Sequence, residues 1–288
     1  MAPSDSNISD TIPSQGTPDW RVNSRGAYDS DLYAETAGYT EDDEVTWWEG
    51  RNVGGVTIGL IQFRGNLPMM PGNMGNASTF KFPMLYREMV CENIADITAK
   101  EPTRDFTEAA VDAAKWLELQ GVRAIIGNCG FWGTYQKVVQ AALEIPFFSS
   151  SLMQLPAMVA SMPAGKKVGV ITANGPLLKK CAAIENCGLS VEDKANKLVI
   201  ESVQGEAFAT ALQMTGRYNP AAVAAEIVET AKAIVASNEI GAILLECTEL
   251  PPAAHAVQKA VRLPVWDYTT LTNWVYLGAL RRPFVGHM

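Results

Sequence analysis

Two cysteines end matching apolar runs. The first closes "VRAIIGNCGFWG", residues 122–133, and the second closes "GAILLECTELPP", residues 241–252. A thiol that follows a buried strand and precedes a helix sits beside free backbone N–H groups and the positive end of a helix dipole, which favour the thiolate. The same N–H groups can hold a carboxylate. The two runs also align with each other. "AIIGNCGFWGTYQKVVQAALEIP" lies over "AILLECTELPPAAHAVQKAVRLP" at a constant offset of 118 residues, which places Cys129 on Cys247, Val139 on Val257 and Pro146 on Pro264. A second correspondence, Ile58-Gly59-Leu60-Ile61 with Val168-Gly169-Val170-Ile171, gives each half an equivalent opening strand.

Those elements must bring the thiols together. Short apolar strands are read at 56–63, 122–127, 145–149, 168–172, 198–203, 240–246 and 263–266. Helical spacing is read at 83–97, 106–120, 135–143, 176–187, 220–237, 253–261 and 271–280. The alternation predicts an α/β fold of two pseudo-symmetric lobes, each a parallel β-sheet flanked by helices. Ligands of such sheets bind beyond the carboxyl ends of the strands. The site is therefore expected in the cleft between the lobes, with one thiol on each side. Residues 51–160 are assigned to the first lobe, completed by a C-terminal helix within 267–288, and 161–266 to the second. Residues 1–50, rich in Ser, Asp, Pro and Gly, read as an irregular arm, with Trp47 and Trp48 pinning it to the body.

Opposed thiols suit proton transfer at carbon. One thiolate removes a proton, and the other thiol returns one to the opposite face, so the centre inverts. A decarboxylase needs only one thiol as proton donor, and a cis–trans isomerase uses one as a nucleophile. A two-lobed sensor that binds without turnover uses neither. Asn128, Gly130, Thr248 and Glu249 flank the thiols, and Arg64 and Asn66 follow the first strand, where Arg64 reads as a solvated loop charge or, within the cleft, as the partner of a second carboxylate.

The composition excludes several classes. The net charge of −8 resides in the arm, since residues 1–50 hold 11 acidic and two basic side chains, whereas the remainder holds 20 and 21. That balance gives no basic face for nucleic acid. No apolar run reaches the roughly 18 residues of a membrane span, and the first residues lack a secretion signal, so a cytoplasmic location is expected. Five cysteines, an odd number, read as free thiols in a reducing compartment. His255 and His287 lack metal-ligand spacing, and no metal is expected.

At "ECTELPP", 246–252, and "VGVITANGP", 168–176, the chain resembles the aspartate/glutamate racemase superfamily, which includes hydantoin racemases, maleate isomerases and arylmalonate decarboxylases. Glu249 completes a Cys-Thr-Glu motif similar to that of the aspartate branch. The first motif differs: Gly130 follows Cys129, where the family has Asn, and Asn128 precedes it. The resemblance implies catalysis by Cys129 and Cys247 without pyridoxal phosphate or other cofactor. It also implies ligand contacts from Thr172 and Asn174, a small carboxylate substrate and a homodimer. The activity expected on these grounds is an isomerase, a racemase or epimerase of amino acids or their derivatives.

Overall fold

The first lobe opens with β1, Ile58–Phe63, whose first four residues are fully covered. A computed structural model describes residues 54–63, 67–89, 104–213 and 216–281. The expected arm with Trp47 and Trp48, and Cys91, lie outside them. After β1 come β2, Met84–Met89, α1, Arg104–Leu119, β3, Ala124–Gly127, and a 3-10 turn, Gly130–Tyr135. Then follow α2, Gln136–Gln140, β4, Phe147–Phe148, a second 3-10 turn, Ser151–Gln154, and α3, Leu155–Ala160. The second half runs β5, Lys167–Thr172, α4, Gly175–Lys180, α5, Ala183–Asn186, α6, Val191–Lys197, β6, Leu198–Ser202, and α7, Glu206–Leu212. It closes with α8, Pro220–Ser237, β7, Ile240–Leu245, α9, Ala254–Val261, β8, Val265–Trp266, and α10, Tyr268–Ala279.

All strands pair in parallel. The first sheet has the order β2-β1-β3-β4 and the second β6-β5-β7-β8. The orders are the same once each half is counted from its own first strand, which is the architecture that the repeat predicts. In each sheet the order reverses between the opening strand and the strand before the cysteine, and that junction forms the crevice where such sheets bind ligands.

Residues 84–89 differ from expectation. "MLYREM" carries helix formers, yet it adds to β1 as an edge strand over six residue pairs, Ile58 with Met84 through Phe63 with Met89. Tertiary pairing overrides a weak local preference here, and the guanidinium of Arg87 stacks over Trp116 of α1 at 4.8 Å. The helix expected over 176–187 is two short ones, because the chain extends at Cys181. By contrast, α8 forms as its sequence directs. Asn219 accepts a hydrogen bond from Ala222 N at 3.1 Å, Pro220 opens the first turn, and Val223, Ile227, Ala231 and Ile234 make one buried stripe.

The lobes share a core. Ile61 and Ile125 of the first sheet belong to the same buried cluster as Val168, Val170, Ala242 and Leu244 of the second, joined through Trp132, Tyr135 and Leu155. The chain's last described helix returns to the first sheet, where Tyr268, Leu271 and Val275 pack with Ile58, Leu60, Ala124 and Ile126.

Candidate functional site

The two cysteine turns are built alike. Past β3, Asn128 N donates to Ile61 O at 3.2 Å, and past β7, Glu246 N donates to Ile171 O at 2.8 Å. Each bond ties the residue before the cysteine to the neighbouring opening strand. Asn128 and Glu246 are themselves 118 residues apart, so they are equivalent positions in the repeat. Their side chains then diverge. Asn128 Oδ1 accepts from Phe63 N at 3.2 Å, which fixes the end of β1. Glu246 Oε2 accepts from Thr172 Oγ1 at 2.7 Å, while Oε1 is buried without a partner among the described residues.

Gly130 explains how a carboxyl fits there. A Cβ at this position would lie 1.6 Å from Glu246 Oε1, so the absent side chain leaves the space that the carboxyl of the other lobe fills. Glu246 is wholly buried, and burial pushes its carboxyl up to about 7 against the opposing Thr172 hydrogen bond. Three residues on, Glu249 is also buried and also raised by burial to about 7, with Asn73 Nδ2 donating to its Oε1 at 2.9 Å.

Burial, reinforced by these carboxyls, inverts the expected shift of the thiols. The helix-terminus argument predicts depressed thiol pKa values, but both are raised. Burial pushes Cys129 up to about 12, with Glu246 adding to it, and the N–H groups of Phe131 and Trp132 offset only part. Cys247 is raised well above the usual thiol range by burial, then by Glu246, Glu249 and Cys129. Each cysteine keeps partial surface exposure as a residue, yet protein atoms crowd its sulfur. The following 3-10 turns, Gly130–Tyr135 and Pro251–Ala253, are too short to offset that desolvation. At neutral pH both groups are thiols, within electrostatic reach of each other. Among the described residues all four cysteines are free.

The other sequence-flagged residues fall in different places. Thr172 is buried and spends its hydroxyl on Glu246. Thr248 is buried beside Cys247. Asn174 is exposed and caps α4, accepting from Leu177 N at 3.1 Å. Arg64 and Asn66 lie outside the described residues. Sequence reading missed Glu246, Asn73 and Tyr268. Glu246 carried a signal, an acid ending an apolar run at the position equivalent to Asn128. Asn73 and Tyr268 carried none, because folding across lobes brings them in.

The Asp/Glu/hydantoin racemase family profile matches residues 88–274. The chain belongs to that family. Among solved structures it is similar to unliganded arylmalonate decarboxylase, with a TM-score of 0.51 at 17% identity over 81% of this chain and 97% of that one. It is also similar to Picrophilus torridus aspartate racemase, with a TM-score of 0.50 at 15% identity over 78% and 94%. At these identities the likeness shows the fold alone. Curated relatives are nearer in sequence. Dimethylsulfoniopropionate lyase 7 of Emiliania huxleyi is 32% identical over 80% of this chain and 69% of its own length. Dimethylsulfoniopropionate lyase 3 of that organism is also 32% identical, but the match spans only 61% of it, less than two thirds. A dimethylsulfoniopropionate lyase of Durusdinium sp. clade D is 28% identical over 88% and 87%. These relatives overturn the expectation of an isomerase, since they carry lyase names.

Proposed function

We propose that this chain is a lyase that eliminates a neutral thioether from a β-sulfonio carboxylate, with dimethylsulfoniopropionate as the substrate. The observation that carries the reading is the pair of buried carboxyls beside the thiols. Two buried carboxyls beside the thiols suit a zwitterion whose far end is a cation. Glu249 lines a cavity of about 180 Å³ with Met70, Pro71, Tyr218 and Pro252. Apolar walls, an aromatic ring and one carboxyl together match a dimethylsulfonium group, which is both greasy and charged.

The reaction needs one base. A thiolate of the pair takes the proton α to the carboxylate and becomes a thiol. The C–H electrons form the carbon–carbon double bond, and the β C–S bond breaks with its pair going to sulfur. Dimethyl sulfide and acrylate leave, and the thiol returns its proton to solvent. Burial chiefly holds the thiols protonated, and the bound sulfonium offsets what Glu246 and Glu249 add to it, so ionisation is favoured once substrate is in place. Backbone N–H groups help each thiolate, from Phe131 and Trp132 at Cys129 and from Glu249 at Cys247.

The test is direct. Purified protein is incubated with dimethylsulfoniopropionate, with headspace dimethyl sulfide read by gas chromatography and acrylate by proton NMR. Equal amounts of both products above a heat-killed control are expected. Folded protein that releases neither would sink the reading.

A further inference from the structure

Tyr268 is the first residue of α10 and is wholly buried. Its hydroxyl has no partner in hydrogen-bond geometry among the described residues, although Ser150 is near enough to favour the phenolate weakly. Cys129, Glu246 and Cys247 all lie within its electrostatic reach. The hydroxyl is also firmly placed. Asp267 accepts from Thr269 N at 2.7 Å and Thr270 N at 2.9 Å, and Gln154 Nε2 donates to Asp267 O at 2.9 Å. The ring is held in the first-lobe core.

A buried polar atom without a partner is uncommon and calls for a reason. Here two such atoms, Tyr268 OH and Glu246 Oε1, come from different elements and lie within electrostatic reach of the same pair of thiols. Phenylalanine would fill the Tyr268 position without an orphan hydroxyl, so packing alone does not account for it.

We propose that the Tyr268 hydroxyl is a catalytic hydrogen-bond donor to the substrate's carboxylate, set beside the thiols to hold the charge that develops there as the α-proton leaves. The proposal rests on the lyase reading and names the anion-binding group of that same site. Removing the α-proton spreads negative charge onto the carboxylate oxygens, and a fixed donor in a dry site gains strength in that transition state. Burial, with the nearby thiols and Glu246, holds the phenol protonated well above its usual range, so it remains a donor. A tyrosine held protonated in a dry site is an established donor to a developing oxyanion.

Tyr268→Phe keeps the ring and removes the donor. In the elimination assay kcat should fall about 100-fold, with KM rising by about tenfold or less. The Tm should hold or rise, because an orphan hydroxyl has been removed. Unchanged kcat with a raised Tm would overturn the proposal and leave the hydroxyl a packing defect. A binding measurement separates this from the lyase reading. Isocaproate is an isostere of the substrate with carbon in place of the sulfonium, and it cannot eliminate. Calorimetry should show wild type preferring isocaproate to isocaproamide by about tenfold or more, and Y268F losing most of that preference. A preference retained in Y268F, or absent from wild type, would also overturn the proposal. Wild type that prefers the acid but releases no dimethyl sulfide would sink the lyase reading alone.

Discussion

The turn after β3 and the turn after β7 share a backbone plan and differ in chemistry. Each ties its first residue to the neighbouring opening strand and presents a cysteine next. The first turn then supplies an amide and a glycine, Asn128 and Gly130, while the second supplies two carboxyls, Glu246 and Glu249. A duplicated scaffold has acquired opposite polarities at its two ends. Racemisation calls for two matched bases on opposite faces of carbon. Elimination from a sulfonio acid calls for one base, a cation site and an anion site, which are unlike one another. The departure from symmetry is therefore the informative part of the repeat.

The largest effect should come from the thiols. Cys129→Ser and Cys247→Ser remove one candidate base each while keeping the shape. A serine hydroxyl is far too weak an acid to replace the thiolate. If one thiol alone is the base, one variant should lose about a thousandfold or more in kcat/KM and the other distinctly less. Equal loss from both would break the asymmetry and require each thiol in one reaction. Dimethyl sulfide release at a single substrate concentration below KM reads the difference.

Stability against pH comes next. Glu246 and Glu249 have folded pKa values near 7, above the ordinary value of 4.5. A carboxyl raised on folding stabilises the fold fully below its unfolded value, and that contribution is lost as pH rises through the folded value. The gap corresponds to about 3 kcal/mol for each carboxyl, lost between about pH 4.5 and 7. Urea midpoints should therefore be higher at pH 5 than at pH 8, and Glu246→Gln should remove roughly half of the change. A flat profile would mean that the second turn is no more charge-averse than the first.

Much of this was legible beforehand, for definite reasons. The strands around Ile125 and Ile243 are apolar runs in a parallel sheet covered on both faces, and such strands announce themselves. The 118-residue offset paired Cys129 with Cys247 without any structure. Met84–Met89 was not legible, because an edge strand pairs on one side only and its Met, Leu, Arg and Glu residues favour helices. The thiol charge state was misjudged because a sequence shows the helix start but not the desolvation around it. Gly130 stood out as a departure from family pattern, but only packing across the lobes reveals that Glu246 fills its space.

That fit can be tested by closing it. Gly130→Ala would place a methyl group where Glu246 Oε1 lies, so it should destabilise by about 3 kcal/mol, as overpacking of a buried site does. Glu246→Ala empties the space from the other lobe. In the double variant the alanine at 130 should cost much less, and the coupling should appear as about 1–3 kcal/mol of non-additivity in urea unfolding. Strict additivity would mean that the two turns do not interlock.

The smallest effect separates two residues at the head of the second lobe that sequence alone treats alike. Thr172 ends β5 and Asn174 lies just beyond it, and the family resemblance gives both a ligand role. Thr172 Oγ1 reaches inward to Glu246, whereas Asn174 is exposed and its Oδ1 accepts from Leu177 N at the start of α4. Loss of an N-cap typically costs about 1 kcal/mol, so Asn174→Ala should lower stability by that amount and leave kcat/KM within about twofold. Asn174→Asp, which also caps, should restore the stability. Thr172→Val removes the one hydrogen bond that the described residues give the Glu246 carboxyl. It should raise the pH at which that carboxyl ionises, and so move the pH dependence of stability upward while Asn174→Ala leaves it in place. A larger kinetic loss for Asn174→Ala than for Thr172→Val would reverse the assignment, putting the outer residue in contact with substrate and the inner one in a purely structural role.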